Sequence, residues 1–262
     1  MPDFKLIDTH IHFGHSSDYM TPRVDVKRFV DRMDRFGIEL ALHLGREGLR
    51  DEYARGIETS RKLFEASGGR IYSTFNFGPL HPEPALTLIR ENAKDPIFRG
   101  IKIHPSGSNV NADDERYRPV WDVARECGLP IYAHTWAISS YHPSQQSAFA
   151  GKFERFATEY PDVTLIFAHS GGRWGGLQAA MAIGRKCPNT YFDVAGDIWN
   201  VDVVNYLVDN VGPDRVLWGS DDYMIEERPM MGVVLGADLP VAVKKKIFRE
   251  NAVRLLFPEL GE

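Results

Sequence analysis

The stretch Thr164-Leu165-Ile166-Phe167-Ala168-His169 decides the fold class, because it is an apolar run that ends abruptly in a histidine. A strand with one solvated face alternates apolar and polar residues, whereas a parallel strand covered on both faces is apolar throughout. Similar β-rich runs recur along the whole chain, and the set is Lys5–His12, Ile38–Leu44, Arg70–Phe77, Gly100–His104, Pro130–His134, Thr164–His169, Thr190–Val194 and Arg215–Gly219. The sequence therefore predicts a buried parallel sheet.

Helical patterns separate these runs, and glycine or proline residues such as Gly37, Gly128 and Pro188 mark where the helices stop. The patterns cover Val24–Phe36, Glu52–Ala66, Pro84–Ala93, Glu115–Cys127, Ser144–Tyr160, Gly175–Lys186 and Asp202–Asn210, and one or two closing helices are expected over Pro240–Phe257. Eight strands at a repeat of roughly 25–35 residues predict a single-domain (β/α)₈ TIM barrel over residues 1–262. An open doubly wound sheet is disfavoured because Asp8–Gly14 is not a glycine-rich phosphate loop.

Charge and composition limit the partners of the chain. The formal net charge is only -5 and no basic block occurs, so neither nucleic acid nor an anionic membrane is an expected partner. The longest apolar stretches are far shorter than the roughly 20 residues of a membrane span. Cys127 and Cys187 stand alone in the sequence, which favours reduced thiols and a cytoplasmic location.

Histidine and aspartate residues recur at the C-terminal ends of the predicted strands, where the active sites of such barrels form. His10 and His12 end the first strand, His134 the fifth and His169 the sixth, and Asp221 follows the eighth. Residues two apart on a strand point to the same face, so the imidazoles of His10 and His12 enter the barrel mouth together. With a third histidine and a carboxylate, they predict a site for Zn²⁺ or a similar first-row cation.

Five motifs at these strand ends resemble those of the amidohydrolase superfamily. They are Asp8-Thr9-His10-Ile11-His12, Gly100-Ile101-Lys102-Ile103-His104-Pro105, Leu129-Pro130-Ile131-Tyr132-Ala133-His134-Thr135, Ala168-His169-Ser170-Gly171-Gly172 and Trp218-Gly219-Ser220-Asp221. Their order and spacing are most similar to the amidohydrolase-2 branch, which includes aminocarboxymuconate-semialdehyde decarboxylase. The ending Phe248–Leu256 resembles the C-terminal helix of that branch.

This resemblance implies a site in which His10, His12, His134 and Asp221 hold one divalent metal ion per chain, most often zinc. His169 would be the nearby acid/base or carbonyl-polarising group, or a ligand of a second metal. In some amidohydrolases a carbamylated lysine on the fourth strand bridges two metals, and Lys102 lies on that strand. Two metals per chain are therefore expected only if Lys102 is carbamylated.

The branch contains both hydrolases and non-oxidative decarboxylases, and the favoured expectation here is a hydrolase of a small, carboxylate-bearing lactone, ester or amide. The metal would lower the pKa of water from about 15.7 towards 7. Asp221 would take the proton of that water, and His169 would stabilise the oxyanion. The alternative is a decarboxylase of an unsaturated or aromatic acid, in which Asp221 or His169 manages the proton that replaces CO₂.

Several residues near these strand ends are candidates for substrate binding. Lys102 could hold a substrate carboxylate, and His104, on the same face, could contact substrate or buttress a ligand. Trp136 and Arg173 follow metal-site histidines, and an arginine there would suit an anionic substrate. His15 is expected to line the pocket from the loop after the first strand.

The remaining polar residues have less specific expectations. Asp193 could be a partner of a ligand or a helix cap, His43 is expected in the core, and His81 and His142 are expected on the surface. The short loops predict a small substrate and an open mouth, which a neighbouring subunit of a homodimer could complete. A degenerate barrel that serves only as a scaffold should lack a ligand, and none is missing here.

Overall fold

Eight parallel strands pair in sequence order in a computed structural model that describes residues 3–13 and 25–261. They are β1 (Leu6–Ile11), β2 (Ile38–His43), β3 (Ile71–Phe77), β4 (Phe98–Ile103), β5 (Ile131–His134), β6 (Leu165–Ala168), β7 (Thr190–Val194) and β8 (Val216–Trp218). The ring returns to its start through a parallel bridge between Ile11 and Asp222, and the Asp221 N–H donates to the His10 carbonyl at 2.8 Å. The predicted (β/α)₈ barrel is confirmed.

The helices lie between the strands on the outside of the ring. Those of five or more residues are α1 (Val26–Phe36), α2 (Tyr53–Ala66), α3 (Pro82–Asn92), α4 (Arg118–Cys127), α5 (Glu154–Glu159), α6 (Trp174–Lys186), α7 (Val203–Val211), α8 (Glu227–Leu235), α9 (Val241–Lys245) and α10 (Asn251–Leu256), and a single α-helical turn, Pro105–Ser108, follows β4. A π-helical turn, Lys246–Glu250, joins the last two. In the part of the chain that the structure describes, no helix is long and apolar enough to cross a membrane.

Local sequence explains where α1 begins and ends. The Asp25 side chain accepts a hydrogen bond from the Arg28 N–H at 2.7 Å, which satisfies one of the free donors of the first turn. Gly37 follows the last turn with a φ of 72°, a left-handed conformation that costs other residues more than glycine. Between these caps, Phe29 and Met33 are buried one helical turn apart against the barrel.

Two segments differ from the sequence prediction. The helix expected over Ser144–Tyr160 is α-helical only in α5, because Phe149 is extended (φ -61°, ψ 128°) and splits the segment into 3₁₀ turns. The Ala148 carbonyl instead accepts the Trp136 N–H at 3.2 Å. No helix was expected at α8, which contains Pro229 and Gly232; the proline lies in the first turn, where its missing N–H costs nothing.

The interior of the ring is packed with side chains from strands that are not neighbours. Ile7 of β1 and Tyr132 of β5 belong to one buried cluster, and residues of these two strands can meet only across the barrel. Leu256 and Phe257 belong to the same cluster, so the C-terminal segment packs against the interior. The polar residues predicted to form the site lie at the C-terminal ends of the strands, beyond this apolar interior.

Candidate active site

Three of the predicted metal ligands meet where β8 returns to β1. The His12 Nε2 lies 3.2 Å from the His10 Nε2 and 3.2 Å from the Asp221 Oδ1. The distance from the His10 Nε2 to the Asp221 Oδ1 is 3.5 Å. The barrel thus brings together side chains that are more than two hundred residues apart in sequence, as the strand-end argument predicted.

Hydrogen bonds on the far side of each ring fix which nitrogen faces the cluster. The His12 Nδ1 lies 2.7 Å from the Leu44 carbonyl oxygen, which can only accept, so the proton is on Nδ1. The His10 Nδ1 lies 2.7 Å from Oδ2 of Asp193, and a carboxylate likewise accepts the Nδ1 proton. Both Nε2 atoms therefore present a lone pair to the cluster.

Asp193, at the end of β7, connects three parts of the site. Besides His10, it accepts the Tyr132 hydroxyl at 2.6 Å and the His169 N–H at 2.5 Å. The carboxyl group is fully buried, so each of these bonds is made in a medium where a lost partner is costly. Of the two roles expected for Asp193, the structure therefore supports the first: Asp193 orients His10, a predicted metal ligand.

The donor set fits a divalent metal ion. Burial is the largest cause that lowers the pKa of His10 well below its ordinary range and that of His12 to about 3, so both rings are neutral near pH 7. Burial raises the pKa of Asp221 to about 6, partly offset by His169 and Lys102. Most telling, the buried Oδ1 of Asp221 has no hydrogen-bond partner among the described residues. Two neutral imidazoles and an unpartnered carboxylate oxygen are a suitable ligand set.

His169 lies beside this cluster with a constrained backbone. Its φ is 62°, and the next residue, Ser170, has a φ of 50°, so two non-glycine residues in succession are left-handed. The His169 Nδ1 lies 3.0 Å from the Ala195 carbonyl oxygen, which leaves Nε2 as the nitrogen for chemistry. A Cβ on Gly196 would lie 2.7 Å from that Nδ1 and 3.2 Å from the Asp221 Oδ2, so a side chain at this position would crowd both groups.

His134 ends β5 as predicted, but its ligand atom lies outside the three-residue cluster. Its Nε2 lies 3.0 Å from the Gln145 Oε1, and its ring stacks on that of His104 with centroids 4.0 Å apart. Metal binding by His134 stays a prediction that requires Gln145 to release this nitrogen. The Nδ1 of His104 accepts the Gly107 N–H at 3.1 Å, so the proton of His104 is on Nε2.

Lys102 is buried beneath the main pocket. It lines a cavity of about 10 Å³ together with His12 and His104, a volume that suits one water molecule. Its Nζ has no hydrogen-bond partner among the described residues, and burial lowers its pKa to about 8 against the opposing charges of Asp193 and Asp221. Substrate binding and carbamylation at Lys102 both stay predictions.

An open pocket of about 1050 Å³ lies above the cluster. Its wall contains His12, His104, His134, His169 and Asp221 of the predicted set, and also Trp136 and Arg173. Arg173 is not free, since its Nη2 lies 2.6 Å from Oδ2 of Asp197. His15 lies outside the described residues.

The other histidines largely follow expectation. His43 is buried within the barrel wall, 3.5 Å from the Ser73 hydroxyl, and His81 is exposed. His142 is exposed as predicted but also lines the pocket, together with Tyr141.

Several residues of the site were not predicted from the sequence. Tyr132 could have been predicted, since it lies two residues before His134 on the same strand and therefore on the same face. Arg46, Gln145 and Met224 line the pocket from loops, where no periodic pattern marks a side chain as inward-facing.

The sequence profile of the family described as Amidohydrolase matches residues 7–257. No sequence among the curated proteins matches the chain significantly.

Solved structures provide a second comparison. A 2,6-dihydroxybenzoate decarboxylase from Rhizobium is 17% identical, with 99% of this chain and 100% of that chain covered and a TM-score of 0.77. A dihydroxybenzoic acid decarboxylase from a Polaromonas species, solved with bound manganese and the inhibitor 2-nitroresorcinol, is 18% identical, with 99% and 98% covered and a TM-score of 0.78. A 5-carboxyvanillate decarboxylase from Novosphingobium aromaticivorans, complexed with manganese and 4-hydroxy-3-methoxy-5-nitrobenzoic acid, is 16% identical, with 97% and 96% covered and a TM-score of 0.75. At these identities the likeness is one of fold.

Proposed function

The chain belongs to the amidohydrolase family, and we propose that within it the protein is a metal-dependent decarboxylase of a small planar acid. The observation that carries the proposal is the buried, unpartnered Oδ1 of Asp221, which faces two imidazole nitrogens at the base of an open pocket. The hydrolase function favoured from the sequence is not confirmed, and the comparisons favour the alternative. All three structures named above are decarboxylases of aromatic acids.

The pocket wall supports a planar substrate. Trp136, Ile138 and Tyr141 form an apolar and aromatic side, and Met224 and Ile225 contribute from the loop after β8. The Trp136 ring is nearly parallel to that of His134, with an interplanar angle of 8° and centroids 6.5 Å apart. Flat, polarisable side chains of this kind favour contact with an aromatic or conjugated acid.

We propose that His10, His12 and Asp221 hold one metal ion, with His134 as a further ligand once Gln145 releases it. The bound ion would supply the positive charge that holds a substrate carboxylate or an adjacent hydroxyl group. Nitrogen and oxygen donors suit both the zinc expected from the sequence and the manganese present in two of the similar structures. A second group of possible ligands, His10, His169 and Asp193, shares His10 with the first, and its Asp193 already accepts the Nδ1 proton of that histidine. One ion per chain is therefore expected.

In the proposed reaction the bond between the substrate carbon and its carboxylate breaks, CO₂ leaves, and the electron pair stays on that carbon. A proton must then reach the same carbon, and Asp221 and His169 are the groups placed to deliver it. Both groups flank Gly196, where a Cβ would lie 3.2 Å from the Asp221 Oδ2 and 2.7 Å from the His169 Nδ1, and both line the open pocket from which the substrate would approach. His10 and His12, with their protons directed away from the cluster, take no part in this transfer.

A product analysis tests the proposal. The metal-loaded protein is incubated in D₂O with 2,6-dihydroxybenzoate and 5-carboxyvanillate, and in parallel with a lactone and an amide panel. We expect CO₂ release and one deuterium at the carbon that lost it, with activity abolished by a chelator and restored by Mn²⁺ or Zn²⁺. Asp221→Asn should abolish the release, whereas Arg50→Gln, an exposed change outside the pocket, should not. Hydrolysis of a lactone or amide without CO₂ release from any acid would contradict the proposal.

A further inference from the structure

The positive charges on the pocket wall are not equivalent. Arg46 and Arg173 are the two arginines that line it, and Arg173 is paired with Asp197. Arg46 forms no salt bridge with any carboxylate in the described ranges, 3–13 and 25–261. Its only side-chain hydrogen bond among these residues is a weak one, from Nη1 to the Met224 sulfur at 3.8 Å. The carboxylate that could balance it on the wall, Asp221, faces His10 and His12.

The backbone that carries Arg46 is held firmly against β3. A Cβ on the preceding Gly45 would lie 2.7 Å from the Asn76 Nδ2, and one on Gly48 would lie 2.6 Å from the Asn76 Cβ. The turn from Glu47 to Arg50 can therefore pack this closely only because both positions are glycine. Arg46 precedes this turn, two residues beyond Leu44, which follows β2, and its side chain reaches across to the loop after β8.

Arg46 lies on the walls of both cavities at the site. It lines the open pocket and also the small cavity that contains Lys102, and His12 and His104 line the same two cavities. An uncompensated guanidinium on the same wall as a candidate metal ligand attracts an anion, and its planar donors suit a carboxylate in a bidentate contact.

We propose that Arg46 binds a second carboxylate of the substrate, so that the natural substrate class is a planar dicarboxylic acid. The inference rests on the proposed function, because it takes the first carboxylate to be the one held at the metal cluster. One carboxylate lies at His10, His12 and Asp221, the ring lies along Trp136, and the other carboxylate meets Arg46 at the opposite loop.

Equilibrium binding of acids that lack a reactive hydroxyl tests this directly. Benzoate and the three isomeric benzenedicarboxylates, phthalate, isophthalate and terephthalate, are titrated by calorimetry into the Mn²⁺-loaded protein. We expect one diacid isomer to bind about tenfold to a hundredfold more tightly than benzoate. Arg46→Gln should remove that advantage while the affinity for benzoate stays the same, and Arg46→Lys should restore part of it.

Arg50→Gln is the matched control, since Arg50 ends the same turn, is exposed and lies outside the pocket wall. It should retain the full diacid preference. The inference is overturned if no diacid binds more tightly than benzoate, or if Arg46→Gln weakens benzoate equally, which would assign Arg46 to a single carboxylate. Because no turnover is measured, these results are separate from the CO₂ assay, and either proposal can fail alone.

Discussion

Replacing Asp193 with asparagine should weaken metal binding while leaving the fold intact. Asp193 accepts three hydrogen bonds, from the His10 Nδ1 at 2.7 Å, the Tyr132 hydroxyl at 2.6 Å and the His169 N–H at 2.5 Å. An amide offers one oxygen and one NH₂ group, so it cannot accept on both sides. If the NH₂ faces His10, the imidazole must move its proton to Nε2, which then cannot bind a metal.

In either orientation the variant loses the carboxylate behind His10 and leaves one buried donor unpaired. Loss of such a partner costs about tenfold to a hundredfold in metal affinity, and an unpaired buried donor costs about 1–3 kcal/mol of stability. Competition with a fluorescent chelator measures the first quantity, and urea unfolding of the metal-free protein measures the second. Asp197→Asn is the control, since this carboxylate lies after the same strand and pairs with Arg173 instead. A metal dissociation constant for Asp193→Asn equal to that of the unchanged protein would refute the reasoning.

Three further predictions concern the metal and its surroundings. Metal at a hundred times its dissociation constant should stabilise the fold by about 2.7 kcal/mol, seen by calorimetry as a rise in Tm that His12→Ala abolishes. Gly196→Ala and Gly212→Ala both place a side chain at a left-handed φ, 80° and 82°, at a cost of about 1–2 kcal/mol each. Only Gly196→Ala should lose activity, because its Cβ crowds His169 and Asp221, whereas a Cβ at 212 meets nothing within 4 Å. An equal loss of activity in both variants would show that backbone strain alone is responsible. Tyr132→Phe should lower the free energy of unfolding by about 1–3 kcal/mol, since Asp193 loses a buried donor, and an unchanged urea midpoint would contradict that role.

The barrel architecture was predictable because parallel strands covered on both faces have continuous apolar sequences, and Leu165–Ala168 is such a strand. The placement of His10, His12 and Asp221 followed from it, since parallel strands end at the same rim of the barrel. Asp193 could be located at that rim but not given a role, because its hydrogen bonds to His10 and His169 depend on side-chain geometry across three strands.

The loops were less predictable for a physical reason. The segment before α5 has helical composition, yet tertiary contacts such as that from the Trp136 N–H to the Ala148 carbonyl replace the helix. The position of Arg173 after His169 predicts a pocket residue, but its pairing with Asp197, 24 residues further along the chain, depends on the fold. Arg46 belongs to no recognisable motif. It stands out only in the structure, where it lines the pocket without a carboxylate partner among the described residues.

Anomalous X-ray scattering from crystals of the Mn²⁺- or Zn²⁺-loaded protein tests the proposed metal centre most directly. We expect one peak per chain, about 2.0–2.2 Å from the Nε2 atoms of His10 and His12 and from a carboxylate oxygen of Asp221. The Nδ1 of His10 should still face Asp193. A metal bound elsewhere, or no metal at this position in protein that releases CO₂ from an acid, would contradict the assignment.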